Sequence, residues 1–141
     1  MTLIQLIYVS TARQEYDTTE LDRILASSVR HNAAHSVTGM LLYLNGSFMQ
    51  VLEGAEAAVD ETYGRIERDP RHTDLFLLER TPIEARSFAG WHMGFRRLGE
   101  VEAQALPGFA PFLSHGFDAA SIGARPGLAL DILRGFASAG R

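Results

Sequence analysis

Apolar and polar positions change period along this chain, and the changes lay out its elements. Leu3 to Val9 is a continuous apolar, β-prone run, the pattern of a buried strand. A polar loop over Ser10 to Asp17 follows. Thr19-x-x-Asp22 then reads as a capping box, and Leu21, Ile24, Leu25 and Val29 recur at helical spacing, predicting a helix to about His35. Val37 to Leu44 predicts a second strand and Asn45-Gly46 a tight hairpin turn. Ser47 to Glu53 is a third strand, ended by Gly54. Glu56 to Asp69 reads as a second helix with Val59, Tyr63 and Ile66 inward, stopped by Pro70. Asp74 to Arg80 and Trp91 to Leu98 are two further strands, joined by a Pro-containing loop.

The order β-α-β-β-α-β-β is that of an α+β, ferredoxin-like split βαβ unit with one added strand. Two helices cover one face of a five-stranded sheet. Leu3, Ile7, Met49 and Val51 alternate toward the other face, which therefore needs cover as well. The segment after Gly99 has the material for it. Phe109, Phe112, Leu113 and Phe117 sit at helical spacing, as do Leu128, Ile132 and Phe136 in a helix that Pro126 can open. The expected organisation is a domain over residues 1–98 and an extension over residues 99–141, whose two short helices lie on the uncovered sheet face. No linker separates the two parts. Their apolar side chains exceed what two short helices bury in each other, which points to a homo-oligomer or a docking partner.

Composition narrows the chemistry. The 141 residues include 13 basic and 17 acidic ones, for a net charge of −4, which argues against a nucleic-acid binder. Every basic residue is arginine, so lysine Schiff bases and Walker-type phosphate loops are excluded; with no cysteine, so are thiol nucleophiles and thiolate metal sites. No stretch approaches the roughly 18 apolar residues of a membrane span, and the start lacks the basic region of a signal peptide, so a cytoplasmic location is expected. The glycine-rich dinucleotide fingerprint, the nucleophile elbow and the zinc-protease motif are all missing.

What stands out is polar residues at core positions. Ser28 and Asn32 continue the apolar stripe of the first helix. An unsatisfied buried amide costs about 1–3 kcal/mol, so Asn32 either bonds its own backbone at the helix end or faces a ligand. Gln50 sits mid-strand between Phe48 and Leu52, and Tyr8 shares a face with Ile4 and Leu6 on a neighbouring strand. Tyr8, Gln50 and Asn32 can converge between the sheet and the first helix, where they suit a flat, polar-edged molecule; none is an acid or base at neutral pH. Arg65 and Asp69 form an i,i+4 pair able to rim a slot between the two helices. His31 and His35 read as surface histidines at a helix end, not as metal ligands. Trp91 and Met93 alternate onto one face of the last strand.

These residues carry a family resemblance. Leu6-Ile7-Tyr8-Val9-Ser10, His31-Asn32, Val37-Thr38-Gly39-Met40-Leu41-Leu42-Tyr43, Phe48-Met49-Gln50-Val51-Leu52-Glu53-Gly54, Asp69-Pro70-Arg71-His72 and Phe88-Ala89-Gly90-Trp91-His92-Met93-Gly94-Phe95 resemble BLUF domains, blue-light sensors using FAD, over residues 2 to 97. The tail resembles that of short stand-alone members in architecture only. The resemblance implies a flavin ring between the two helices, with Asn32 bonding its polar edge, Arg65 and Asp69 contacting it from the second helix, His31 beside it and Ile24 and Phe48 packing near it. FMN or riboflavin would partly substitute for FAD, since the ring supplies the main contacts. The implied photochemistry takes an electron and a proton from Tyr8 and rearranges the hydrogen bonds of Gln50, with Ser28, Trp91 and Met93 modulating. The output passes to the tail and a downstream signalling protein, without catalysis by this chain. Two rival readings are a small acylphosphatase-like hydrolase pairing Arg13 with an asparagine, and a colourless dimeric scaffold.

Overall fold

A computed structural model describes residues 2–14, 16–113 and 116–139; Met1, Glu15, Ser114, His115, Gly140 and Arg141 lie outside the described residues. Five strands, β1 (Leu3–Ala12), β2 (Thr38–Leu44), β3 (Ser47–Ala55), β4 (His72–Ile83) and β5 (Gly94–Leu98), form one mixed sheet in the order β4-β1-β3-β2-β5. β1 runs antiparallel to both β3 and β4, β2 antiparallel to β3, and β5 parallel to β2. This is the expected ferredoxin-like arrangement with its added strand.

Helices α1 (Thr18–His35) and α2 (Glu56–Glu67) cover one face. The capping box of α1 is two residues earlier than Thr19 and Asp22, at Asp17 and Glu20. Asp17 Oδ1 accepts the Glu20 N–H at 2.9 Å, and Glu20 Oε1 reaches back to the Asp17 N–H at 3.5 Å. The inward stripe also differs: Leu21 and Asn32 are buried, whereas Val29 is 36% exposed. Asn45 and Gly46 both have positive φ, 48° and 76°, as the tight turn between β2 and β3 requires. Gly54 does not end its strand; β3 continues to Ala55. α2 closes at Arg68, ahead of the expected Asp69.

The largest departure concerns the last strand. Parallel pairing with β2 begins only at Gly94, opposite Met40. Before it the chain turns, with the Trp91 N–H donating to the Phe88 carbonyl at 3.0 Å. Trp91 and Met93 therefore lie in the loop between β4 and β5, and strand alternation does not govern them.

The sheet has a core on each side. One, under α1 and α2, holds Ile4, Leu6, Tyr8, Leu21, Leu41, Phe48, Leu52 and Val59, together with Met93. The other holds Ile7, Val9, Met40, Leu42, Met49 and Val51, covered by the tail. The tail is more broken than two helices: α3 (Glu100–Gln104), a 3₁₀ turn (Ala110–Phe112), α4 (Ala119–Gly123) and α5 (Leu128–Ala139). Pro107, Gly108 and Pro111 punctuate the stretch in which Phe109 and Phe112 lie, so no continuous helix forms there. Leu113, Phe117, Ile122, Ile132, Leu133 and Phe136 are buried against the sheet. Phe109, Phe112 and Leu128 of the tail are only half-buried. Phe76, Leu77 and Val101 are large hydrophobic residues left exposed.

Candidate functional site

The antiparallel register of β1 and β3 sets Tyr8 directly opposite Gln50, both facing the α1–α2 side. Both are buried, at 3% and 4% exposure. The Tyr8 hydroxyl donates to Gln50 Oε1. The other end of that amide, Nε2, donates to Met93 Sδ at 3.3 Å. Phenol, carboxamide and thioether so form one line across the sheet. Burial, with Tyr63 and Asp69 adding to it, pushes the Tyr8 phenol far above its ordinary range. Tyr8 is therefore a hydrogen-bond donor at every physiological pH.

Above this line lies a slot between the two helices. Its inner part, about 70 Å³, meets Tyr8, Ile24, Ser28, Leu41, Phe48, Gln50 and His72. Its outer part, about 100 Å³, meets His31, Asn32, Thr62 and Arg65. Ser28, Gln50, Ile66, Asp69 and Arg71 line both. Larger hollows of about 440 to 580 Å³ lie around Trp91 and beside β4, but a single buried polar side chain, Ser10, faces them. Of these hollows among the described residues, the slot combines apolar walls with several converging donors and acceptors, the character of a small-ligand site.

Several partners differ from the sequence expectation. Asn32 bonds neither its own backbone nor open slot: Nδ2 donates to the His92 carbonyl at 2.7 Å, tying α1 to the β4–β5 loop. Arg65 and Asp69 do not pair. Asp69 instead accepts from the Arg71 Nε and backbone N–H, each at 2.9 Å. Burial opposes ionisation of Asp69, but the Arg71 hydrogen bonds hold its carboxyl below the usual range. Arg65 Nη1 donates to His31 Nδ1, so His31 presents Nε2–H to Thr62 Oγ1 at 3.0 Å, which donates in turn to the Ala58 carbonyl. Burial, then Arg65 and His35, lower the His31 pKa. His31 and His35 stack at 4.1 Å, and among the described residues no group of three His, Cys, Asp or Glu is placed to hold a metal. Ser28 Oγ donates to the Ile24 carbonyl at 3.0 Å.

Trp91 does not line the slot. It packs on the tail side, 5.9 Å from the Phe88 ring, whereas Met93 belongs to the helix side. Several lining residues, Arg71 and His72 among them, had no assigned role in the sequence reading. Arg71 follows α2 and anchors Asp69. His72 opens β4, donates Nε2–H to the Ile66 carbonyl at 2.7 Å and so accepts from Ser10 Oγ at 2.8 Å. Their signal was position: both directly follow the helix-stopping Asp69-Pro70.

A family model described as "Sensors of blue-light using FAD" matches residues 3–94. The chain belongs to the BLUF family. It is 42% identical over 91 residues to photoactivated adenylate cyclase subunit beta of Euglena longa, covering 64% of this chain and 11% of that protein. The chain thus spans about a tenth of the length of that relative. The dark-state structure of BlrB, a BLUF protein, superposes with a TM-score of 0.78 at 30% identity, covering 98% of this chain and 97% of that one. A bacterial light-regulated adenylyl cyclase matches with a TM-score of 0.69 at 32% identity, over 79% of this chain and 32% of that one. The family uses a flavin, and the slot's chemistry fits one: amides and guanidinium groups suit a ring edge of carbonyls and N–H, while Ile24, Leu41, Phe48 and Ile66 suit its faces. The hydrolase reading loses its ground: Arg13 is exposed beyond β1 and does not line the slot. No helix among the described residues is long and apolar enough to cross a membrane.

Proposed function

We propose that this chain is a blue-light switch that holds FAD in the α1–α2 slot and signals to an effector partner. The bound flavin would absorb blue light and, once excited, take an electron. Asn32, Arg65 and Asp69 would orient the ring, with Ile24 and Phe48 against its faces and His31 beside it. Tyr8 is the donor: loss of an electron would make its phenol strongly acidic, and the hydrogen bond to Gln50 Oε1 is the route by which the proton would follow the electron to the ring. Gln50 then rearranges. It is suited to this because a carboxamide offers an acceptor at one end and a donor at the other. Rearrangement breaks the Nε2–H contact with Met93 and passes the change to the β4–β5 loop. The buried Tyr8–Gln50–Met93 line at the slot is the observation that carries this reading. The adenylate cyclase relatives support an effector as the receiver, with catalysis outside this chain.

The test is optical. Protein purified in darkness is expected to be yellow, to release mainly FAD on heat denaturation, and to red-shift under blue light. FMN or riboflavin should refill part of the stripped protein. Tyr8→Phe and Gln50→Leu should keep flavin and lose the red shift. A folded, colourless protein that takes up no flavin would return the chain to the scaffold reading. A normal shift in Tyr8→Phe would remove Tyr8 from the reaction.

A further inference from the structure

A buried polar row crosses the opposite, tail-side face of the sheet. Gln5 on β1, Glu53 on β3 and Thr38 on β2 are direct cross-strand partners. All three are buried, Glu53 completely. Glu53 Oε2 accepts from Gln5 Nε2 and from the Ser87 backbone N–H, each at 2.8 Å. Oε1 accepts from the Phe88 backbone N–H at 2.8 Å and the Thr38 hydroxyl at 3.5 Å. Arg86 Nη1 donates to Thr38 Oγ1 at 2.9 Å and to the Glu53 carbonyl at 3.0 Å, which brings a cation beside the row. A carboxylate is costly to bury unless donors converge on it, and an apolar side chain would fill a sheet core at lower cost. Its presence calls for a task.

The donors name that task. Two are backbone amides of the β4–β5 loop, which no side chain on the loop can replace. The same loop then turns through the Phe88–Trp91 hydrogen bond, is held to β2 where the Gly39 N–H meets the Trp91 carbonyl at 2.8 Å, and ends with Met93 against Gln50. Glu53 and Gln50 are three residues apart on β3 and point to opposite faces.

We propose that Glu53 is a positioning residue of the light response: its carboxylate pins Ser87 and Phe88, and the loop so fixed holds Met93 against Gln50. The proposal rests on the reading of Gln50 and Met93 given above. A pinned loop gives Gln50 a stiff wall to turn past during return to darkness. Freeing the loop lowers that barrier, because rotation in a close-packed interior depends on how far its neighbours yield.

Glu53→Gln separates this role from general packing. Whichever way the new amide is turned, its NH₂ opposes the N–H of either Ser87 or Phe88. The Gln5 amide and the Thr38 hydroxyl can reverse to accept from it, but the backbone amides cannot. One lost hydrogen bond corresponds to roughly threefold to tenfold in an equilibrium. Hydrogen exchange at Ser87 or Phe88 should accelerate by about that factor, and dark recovery should quicken about threefold, with flavin content and red shift retained. Acrylamide should quench Trp91, the sole tryptophan, more readily. Gln5→Met, which spares both loop amides, should leave exchange and recovery within twofold of the parent. Unchanged exchange and recovery in Glu53→Gln overturns the proposal, as does an equal effect from Gln5→Met. Should Glu53→Gln not fold, Glu53→Asp, whose shorter carboxylate also retreats from the loop, decides by the same measures. If the parent protein shows no red shift, the Gln50 reading fails, while exchange and quenching still decide whether Glu53 pins the loop.

Discussion

Trp91 and Met93 are two residues apart and lie on opposite sides of the sheet, Trp91 with Phe88 against the tail and Met93 against Gln50. The loop thereby joins the flavin side to the tail side over a few bonds. Gly94 permits the arrangement, since a Cβ there would collide with the Trp91 ring.

The pair should respond differently to substitution. Met93→Ala removes the partner of Gln50 Nε2 and opens a cavity, and should destabilise the protein by about 2–5 kcal/mol while changing both red-shift amplitude and recovery. Trp91→Phe touches neither Gln50 nor the slot and should leave the shift intact, altering recovery alone. Denaturant titration and light-minus-dark spectra measure both effects. Loss of the shift in Trp91→Phe would place the indole in the photoreaction itself.

Asp69 makes part of the stability pH-dependent. Its folded pKa is depressed by Arg71, so its contribution is full above the ordinary aspartate value near 4 and is lost as pH falls through the folded value. Asp69→Asn should have the lower Tm at pH 7. The gap between the two Tm curves should close as pH falls below about 4. Parallel curves down to acid pH would mean that the pair contributes nothing through charge.

The tail should be needed for solubility more than for light detection. Phe136 is 1% exposed under the sheet, and Phe136→Ala should cost about 3–5 kcal/mol with the red shift retained. Cutting the chain after Leu98 uncovers Met40, Leu42, Met49 and Val51, and light scattering should then report aggregation or altered assembly. A soluble monomeric truncation with unchanged stability would show that the tail is dispensable to this core.

Period and turn chemistry alone are enough to read the order of the elements through β5 and the side on which Tyr8 and Gln50 lie. These are local properties: alternation sets a face, Asn45-Gly46 sets a register, and a polar residue in an apolar run marks a site whatever surrounds it. The identity of most slot residues is legible for the same reason, because α1, α2 and β3 are regular and their faces follow from spacing.

Partners are another matter. Nothing in spacing tells that Asp69 prefers Arg71, two residues on, to Arg65, four residues back, because α2 ends at Glu67 and the i,i+4 geometry lapses there. Nor can Asn32 be matched to His92, 60 residues away in an irregular loop. Trp91 and Met93 look like alternating strand residues until the parallel register with β2 delays β5 to Gly94. Glu53 is one letter of a short apolar run, and its convergent donors from β1, β2 and a distant loop exist only once the chain has folded. Faces are properties of a segment and are written in it; hydrogen-bond partners are properties of two segments at once, and only their packing chooses among them.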